Sequence, residues 1–234
     1  MLPLSDGLPA RRFPLVTVLL IAANVAVFVL YELPHVNAAV YHAGFYPCTV
    51  NGTCRGPEPW QVSWLTAMFT HAGWDHLLGN MLFLAIFGKN VEDAFGRARY
   101  LGFYLAGGFA ASMTQAAVTL IYGTAGATRV PSVGASGAIA AVLGAFFVLY
   151  PHARIKSLLL IFIVRIPAWV YLGMWFLYQL VNAHYAIVTP GTGGGVAFSA
   201  HVGGFAFGLI VTALLTGAGR VEANAPQRPA LGAL

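Results

Sequence analysis

Four polar residues with the chemistry of acyl transfer lie inside apolar stretches of this sequence. Ser136 stands in "PSVGASGAIAA", His201 in "FSAHVGGFAFG", and His76 and Asn80 in "HAGWDHLLGN". A serine hydroxyl becomes a nucleophile when a neighbouring imidazole takes its proton, and that imidazole can later return the proton to a leaving amine. Residues four apart share a helix face, so His76 and Asn80 can donate together to an oxyanion. These residue types predict a serine nucleophile with a histidine base, provided that the fold brings them together.

Each of these residues also has an ordinary structural interpretation. In an apolar helix a serine is most often a small packing residue, and a lone histidine or asparagine is often an interhelical hydrogen-bond donor. Gly204 and Gly208 form a G-x-x-x-G pair, which is typical of close helix packing. If the neighbouring helix is the one that carries Gly137, the same close packing brings His201 within reach of Ser136.

Other catalytic sites and metal sites fit the sequence poorly. Ala138 occupies the last position of the hydrolase elbow G-x-S-x-G, and no strand precedes the serine. His71 and His76 are five residues apart, which differs from the i, i+4 spacing of a helical zinc pair, and no H-E-x-x-H occurs. The apolar stretches that contain Ser136 and His201 carry no Asp or Glu, so we predict a Ser-His dyad without a buried acid. We expect neither a metal nor a cofactor.

The elements that must position these residues are transmembrane helices. The chain has 234 residues, of which 59% are hydrophobic and 8% are charged, whereas a soluble domain carries about 25% charged residues. A helix needs about 20 residues to cross a bilayer. Six predominantly apolar stretches are about that long: 13–31, about 71–90, 100–122, about 133–150, 166–188 and about 196–219.

The sequence therefore predicts a single all-α membrane domain over residues 1–234, with a core of about 13–218 between short tails, 1–12 and 219–234. The apolar stretch from Ile155 to Val164 is too short for a separate crossing. We expect it to lie along the membrane surface.

Basic residues predict the orientation of the chain, because lysine and arginine are enriched on the cytoplasmic side. With the N-terminus inside, only Arg55 and Arg129 of the 12 Lys and Arg fall outside. Both termini are then cytoplasmic, and we expect a bacterial cytoplasmic membrane. The basic residues are scattered, which favours topology signals over a nucleic-acid site. The second, fourth and sixth stretches all run inward, which places His76, Ser136 and His201 about 5–10 Å below the outer face.

The first outside segment, about Glu32 to Thr70, is unusually long for this chain. Its "PWQVSWLTAMF" is rich in aromatic and apolar residues without being a full crossing, which predicts helices that lie in the membrane interface. Cys48 and Cys54 flank "TVNGT", whose Asn51-Gly52 is a turn signal. These cysteines either close a small disulfide loop or remain two free thiols.

Together the motifs resemble those of the rhomboid intramembrane serine proteases. "HAGWDHLLGN", "GASG" and "HVGGFAFG" occur in that family's order on the second, fourth and sixth stretches, and the resemblance covers about residues 13–218. It implies a six-helix bundle with a long interfacial first outside loop. It also implies that Ser136 is the nucleophile and His201 the general base, with His76 and Asn80 as oxyanion stabilisers.

The resemblance further implies that the substrate is a transmembrane segment of another membrane protein, cut near the outer face of the lipid bilayer. The loop Ala127 to Val133 would line the unwound substrate strand, and the glycine-rich "PGTGGG", Pro190 to Gly195, would form a mobile cap. Structural support is implied for His71, Gly134, Gly137, Gly204 and Gly208. The sequence specifies neither the natural substrate nor an oligomeric state.

Two features of the sequence depart from the family pattern. Ala140 stands four residues after the serine, where some members have an aromatic that supports the histidine ring. Val62 and Ser63 occupy the place of a Trp-Arg pair often seen in the first outside loop. Neither departure removes a predicted catalytic atom, although both bear on rate and loop structure.

Two alternative functions compete with the protease. The first is a catalytically weak or inactive rhomboid-like protein that binds membrane partners; inactive relatives typically lack the serine or the histidine, and both are present here. The second is a small-solute channel or transporter, which is disfavoured because the inner halves of the stretches carry few polar residues for a path.

Overall fold

The computed structural model describes residues 1–188 and 197–223, and these fold mainly into helices. The helices are α1 Leu15–Val27, α2 Val36–Ala43, α3 Pro47–Val50, α4 Trp60–Ala67, α5 Trp74–Phe83, α6 Lys89–Phe95, α7 Arg97–Tyr122, α8 Ser136–Leu149, α9 Ala168–Val188 and α10 Phe198–Gly217. Two π-helical turns extend them: Phe28–Glu32 continues α1, and Leu84–Gly88 joins α5 to α6. Three strands, β1 Leu2–Ser5, β2 Arg154–Leu159 and β3 Phe162–Pro167, form one antiparallel sheet in the order β1-β2-β3.

Three of the described helical segments are long and apolar enough to cross a membrane. They are Leu15–Glu32, Arg97–Tyr122 and Phe198–Gly217, and α8 is a shorter apolar helix. Large apolar side chains cover the outside of these segments, with Leu30 80% exposed and Leu214 69% exposed. A surface of this kind suits lipid rather than water. The expectation of an integral membrane protein is thus supported by the helices themselves.

Helix α8 lies at the centre of the molecule, and α10 packs directly on it. Every residue from Gly137 to Phe146 is buried, as expected for a helix that is apolar on all sides. A Cβ atom at Gly204 would overlap the carbonyl oxygen of Gly137, and one at Gly208 would overlap that of Ala141. The two backbones are therefore in contact, and the close packing predicted for the G-x-x-x-G pair is confirmed.

The second apolar stretch continues further than the sequence predicted. We expected it to end at Asn90, whereas the helix ends at Phe95. Glu92 accepts hydrogen bonds from the main-chain N–H groups of Val16 and Thr17 at 3.0 and 2.8 Å. These N–H groups open α1 and have no partner within their own helix. The Glu92 carboxylate of α6 therefore caps the start of α1. Because its charge has this partner, α6 can continue past Asn90 to Phe95.

The all-α prediction missed the sheet. The stretch Ile155 to Val164, expected along the membrane surface, forms most of the hairpin of β2 and β3. Buried Ile155 and Ser157 alternate with exposed Arg154 and Lys156. This alternation has the period of two that a strand with one covered face requires, and the β-branched residues of β3 favour the same conformation.

The first outside segment forms the short helices α2, α3 and α4 and contacts the chain that leads into α8. Cys48 and Cys54 are joined by a disulfide bond, with Asn51 and Gly52 in the turn between them. Of the two alternatives that the sequence left open, the structure has the bridged one. The bond closes the loop beside α3.

Candidate active site

Ser136 and His201 meet where α8 and α10 begin. Ser136 is the first residue of α8, and His201 lies in the first turn of α10. Ser136 Oγ is 2.7 Å from His201 Nε2, which is a short hydrogen bond. The two residues are 65 positions apart in sequence, and the contact of α8 with α10 brings them together.

The second ring nitrogen of His201 decides which way that hydrogen bond runs. Nδ1 lies 2.9 Å from Oε1 of Gln179, a buried residue of α9. An amide oxygen can only accept a hydrogen bond, so Nδ1 carries the ring proton and donates it. Nε2 of the neutral ring is then unprotonated and accepts from the hydroxyl of Ser136. A general base needs this tautomer.

An aromatic side chain from α9 supports the His201 ring. The ring centroids of Trp175 and His201 are 6.0 Å apart and the planes are inclined by 35°. Ala140, where some relatives of the implied family have an aromatic, is fully buried, and a Cβ at Gly204 would stand 3.2 Å from its Cβ. The backbone of α10 leaves no room for a ring at that position. In this structure the aromatic contact to the His201 ring comes from Trp175 on a different helix.

His76 and Asn80 present donor groups beside the chain that precedes Ser136. The Ala72 N–H donates to His76 Nδ1 at 3.4 Å, so the proton of the neutral ring is on Nε2. The Asn80 Nδ2 atom is buried and has no hydrogen-bond partner among the described residues. A Cβ at Gly134 would lie 2.6 Å from His76 Nε2 and 3.5 Å from Asn80 Nδ2. Both donors thus converge on the backbone two residues before the serine.

The backbone before Ser136 is held in place by the outside segment. Gly134 has φ +116°, a conformation that glycine adopts without strain, and its N–H donates to the carbonyl of Ala67 at 2.8 Å. Ser132 and Phe45 exchange two backbone hydrogen bonds of 2.8 and 3.0 Å. The N–H of Ser136, in the first turn of α8, has no partner within the helix and is a third donor beside the hydroxyl.

His71 is buried next to His76 and does not join the group around Ser136. The two ring centroids are 5.1 Å apart. Its main-chain N–H donates to Oε2 of Glu32 at 2.9 Å, which ties the end of the first helix to the start of α5. This placement fits the structural role that we expect for His71.

The comparison with known proteins decides the family. The family model for the rhomboid domain matches residues 57–218. This chain belongs to the rhomboid family. The resemblance inferred from the motifs is therefore confirmed.

Curated relatives of this rhomboid include mitochondrial proteins. This chain is 30% identical over 152 residues to "Rhomboid protein 1, mitochondrial" of Saccharomyces cerevisiae, and the match covers 64% of this chain and 40% of that protein. It is 28% identical over 196 residues to "Presenilin-associated rhomboid-like protein, mitochondrial" of Homo sapiens, covering 81% of this chain and 45% of that protein. The matched region spans less than half the length of these relatives. Their names do not support our expectation of a bacterial membrane.

Sequence reasoning missed several residues that build the site of this rhomboid. Gln179 and Trp175 contact His201, and Gln115 Oε1 accepts the N–H of Ala200 at 3.1 Å at the start of α10. A polar amide is costly in an apolar stretch, so its presence indicates a functional or structural role. A search of the third and fifth stretches for such polar residues would have found both glutamines. Trp175 gave no signal, because an aromatic is ordinary in an apolar helix.

Two cavities adjoin the site in the described part of the chain. One of about 450 Å³ lies between the loop that precedes Ser136, the ends of α7 and α9 and the start of α10; its lining includes Thr119, Val130, Ser132, Ile187 and Ser199. A small one of about 30 Å³ touches Gly134, Ser136 and Gln115. The predicted cap, Pro190 to Gly195, lies outside the described residues.

Proposed function

We propose that this rhomboid is an intramembrane serine endopeptidase that cleaves transmembrane segments of other membrane proteins. The observation that carries the proposal is the 2.7 Å contact between Ser136 Oγ and His201 Nε2, with Nδ1 bonded to Gln179. A packing serine needs no histidine whose unprotonated nitrogen faces its hydroxyl. A nucleophilic serine needs such a partner, because its hydroxyl is otherwise a weak nucleophile.

The reaction that fits this geometry has two stages. Ser136 Oγ attacks the scissile carbonyl carbon while Nε2 of His201 accepts the hydroxyl proton. The tetrahedral intermediate collapses to an acyl ester of Ser136, and His201 passes its proton to the leaving amine. A water molecule, deprotonated by His201 in turn, then hydrolyses the ester and frees the serine.

The donors beside Gly134 fit the negative charge that develops on the carbonyl oxygen. His76 Nε2 and Asn80 Nδ2, which both lie beside Gly134, and the N–H of Ser136 are three such donors. A buried amide N–H without a partner costs free energy. In the proposed reaction Asn80 gains its partner when the oxyanion forms, so its interaction favours the transition state.

The larger cavity fits an extended substrate strand. A peptide bond inside a helix has its carbonyl engaged in the helical ladder, so the segment must unwind before attack. The loop Ala127 to Val133 contributes Val130 and Ser132 to the cavity wall, which supports the role that we predict for this loop. The lining is mainly apolar with a few hydroxyl groups, as a transmembrane segment requires.

The proposal includes a topology. The α5–α6 segment, α8 and α9 join the three long apolar segments to make six crossings, with both termini on the basic side and the site open to the opposite, extracytoplasmic side. A bacterial cytoplasmic membrane stays a hypothesis beside the mitochondrial names of the relatives.

The experiment combines cleavage with active-site labelling. Purified protein in proteoliposomes is incubated with a model single-span substrate and, separately, with a fluorophosphonate. We expect cleavage near the outer boundary of the span and an adduct that mass spectrometry maps to Ser136, with both lost in Ser136→Ala. Cleavage by a folded Ser136→Ala variant would contradict the proposal. A stably folded wild type that neither labels nor cleaves would favour the inactive membrane-binding alternative.

A further inference from the structure

Helix α9 has a largely apolar exposed surface, and its polar residue Gln179 points into the protein. Gln179 is 4% exposed, whereas its neighbours Tyr178 and Leu180 are exposed. Trp175 stands four residues earlier, on the same helix face, and contacts the same histidine ring. A buried amide is costly unless it is hydrogen-bonded, and the partner of Gln179 Oε1 is His201 Nδ1. This face of α9 is therefore shaped around the histidine.

We propose that Gln179 is a positioning residue that holds His201 in the tautomer and orientation of a general base, with Trp175 restricting the tilt of the ring. The inference rests on the proposed function. Without an acceptor at Nδ1, the neutral imidazole distributes its proton over both nitrogens, and a ring protonated on Nε2 cannot take the proton of Ser136. The bond to Gln179 also strengthens when the imidazolium forms, because charged donors make stronger hydrogen bonds.

The amide performs here the orienting task that a carboxylate performs in a Ser-His-Asp triad. A carboxylate inside an apolar helix carries a large desolvation cost, which a neutral amide avoids. The groups around the His201 ring come from three helices: Ser136 from α8, Trp175 and Gln179 from α9, and Phe198 from α10. Gln179 is thus a neutral third member beside Ser136 and His201.

Two substitutions and a matched control test the inference. Gln179→Leu removes the acceptor at similar volume, and Gln179→Glu keeps an acceptor. Asn182→Leu changes an amide on the same helix that donates to the Tyr178 carbonyl of its own turn. We expect Gln179→Leu to lower kcat and the fluorophosphonate labelling rate by about 5- to 30-fold, with KM changed by less than about twofold. Gln179→Glu should recover part of the loss, and Asn182→Leu should behave like wild type.

A spectroscopic readout separates this inference from the proposed function. In ¹⁵N spectra of histidine-labelled protein, assigned by the signals lost in His201→Ala, the wild-type ring should be protonated on Nδ1, and Gln179→Leu should show mixed tautomers. Wild-type labelling by a folded Gln179→Leu variant with an unchanged tautomer would overturn the inference and leave the protease intact. Absence of labelling in the wild type would overturn the protease, while the tautomer measurement would still report on Gln179.

The hairpin of β2 and β3 carries a second inference that is independent of the site. Its tip is a run of large apolar side chains from Leu159 to Ile163, with Leu160 85% and Ile161 84% exposed. Exposed apolar runs of this kind mark an interaction surface. Exposed Lys156 and Arg165 face each other in register nearer the base, and residues 154–167 contain no acidic side chain.

We infer that the hairpin tip inserts into the acyl region of the bilayer, with the basic residues at the level of anionic headgroups. The hairpin connects α8 to α9, so its base lies beside apolar helices of a membrane protein. Lys156 and Arg165 repel each other as directly opposed cations, and anionic lipid offsets that repulsion. A soluble partner would satisfy the apolar tip but gives no reason for the basic base.

An environment-sensitive probe tests the hairpin. The two native cysteines are bonded to each other, so a single Cys introduced as Ile161→Cys can be labelled selectively with NBD in proteoliposomes containing phosphatidylglycerol. We expect strong quenching by nitroxide-labelled acyl chains and weak quenching by aqueous iodide, and the reverse for the control Glu222→Cys, which is exposed after α10. Strong quenching by iodide at position 161 would refute the inference. A quenching pattern that changes with the number of protein molecules per liposome would also refute it, because it would indicate contact between copies of the chain.

Discussion

The contact between Gly208 and α8 allows the positioning of His201 to be tested without changing any polar group. A methyl group at Gly208 would overlap the carbonyl oxygen of Ala141 by about 1 Å relative to the closest approach that such atoms make. The obstacle is backbone, which cannot rotate away as a side chain would. Gly208→Ala must therefore displace α10 from α8 by about that amount, and Gly208→Leu by more.

The effect on the site follows from this displacement. A shift of about 1 Å would lengthen the 2.7 Å bond between Ser136 Oγ and His201 Nε2 to a distance beyond a hydrogen bond. A misplacement of this size can cost about 100-fold in rate, and overpacking costs about 1–3 kcal/mol in stability. We expect kcat/KM to fall by about 100-fold in Gly208→Leu and by less in Gly208→Ala.

The assay compares cleavage of the model span with thermal unfolding in the same detergent. Gly217→Ala is the matched control, because a Cβ at this glycine of α10 meets nothing within 4 Å. The control should keep wild-type kcat/KM and should unfold at the same or a slightly higher temperature. A folded Gly208→Leu variant whose kcat/KM stays within about twofold of wild type would refute the argument, because His201 would then be positioned by some other contact.

Three further predictions use other parts of the molecule. Asn80→Ala should lower kcat by up to about 10²–10³ with little change in KM, because its amide meets the oxyanion only in the transition state; an unchanged kcat with a raised KM would reassign Asn80 to substrate binding. Fluorophosphonate labelling should fall in His201→Ala and on acidification of the wild type, since imidazolium cannot accept a proton; labelling that is independent of pH would exclude histidine as the base. After reduction, an impermeant thiol reagent should reach Cys48 and Cys54 from the side opposite a C-terminal tag, and labelling from the same side would overturn the topology.

The sequence alone determined which residues have the chemistry of the site. A polar side chain in an apolar helix is costly wherever the helix lies, so Ser136, His76, Asn80 and His201 were visible one by one. Glycine spacing is equally local: it predicted that α10 packs closely on a neighbouring helix, and the structure identified that helix as α8. These features depend on the residue and its near neighbours along one helix, which is the information that a sequence contains.

The tertiary structure decided which partners these residues have. Ala140 in the sequence indicated a missing aromatic, whereas the fold supplies Trp175 from another helix. The hydrogen bond that fixes the tautomer of His201 comes from Gln179, 22 positions earlier in the chain. Neither partner has a fixed spacing from the residue that it serves, because a contact between helices depends on how the helices cross.

The sheet and the disulfide depended on the fold for the same reason. The apolar stretch from Ile155 to Val164 was as compatible with a segment on the membrane surface as with a strand. Its pairing with β1, more than 150 positions away, depends on a long-range contact. The distance between Cys48 and Cys54 was set by the turn between them, which the sequence favoured but did not enforce. Local patterns specify the chemistry that a residue can perform, and long-range packing specifies the atoms on which it can act.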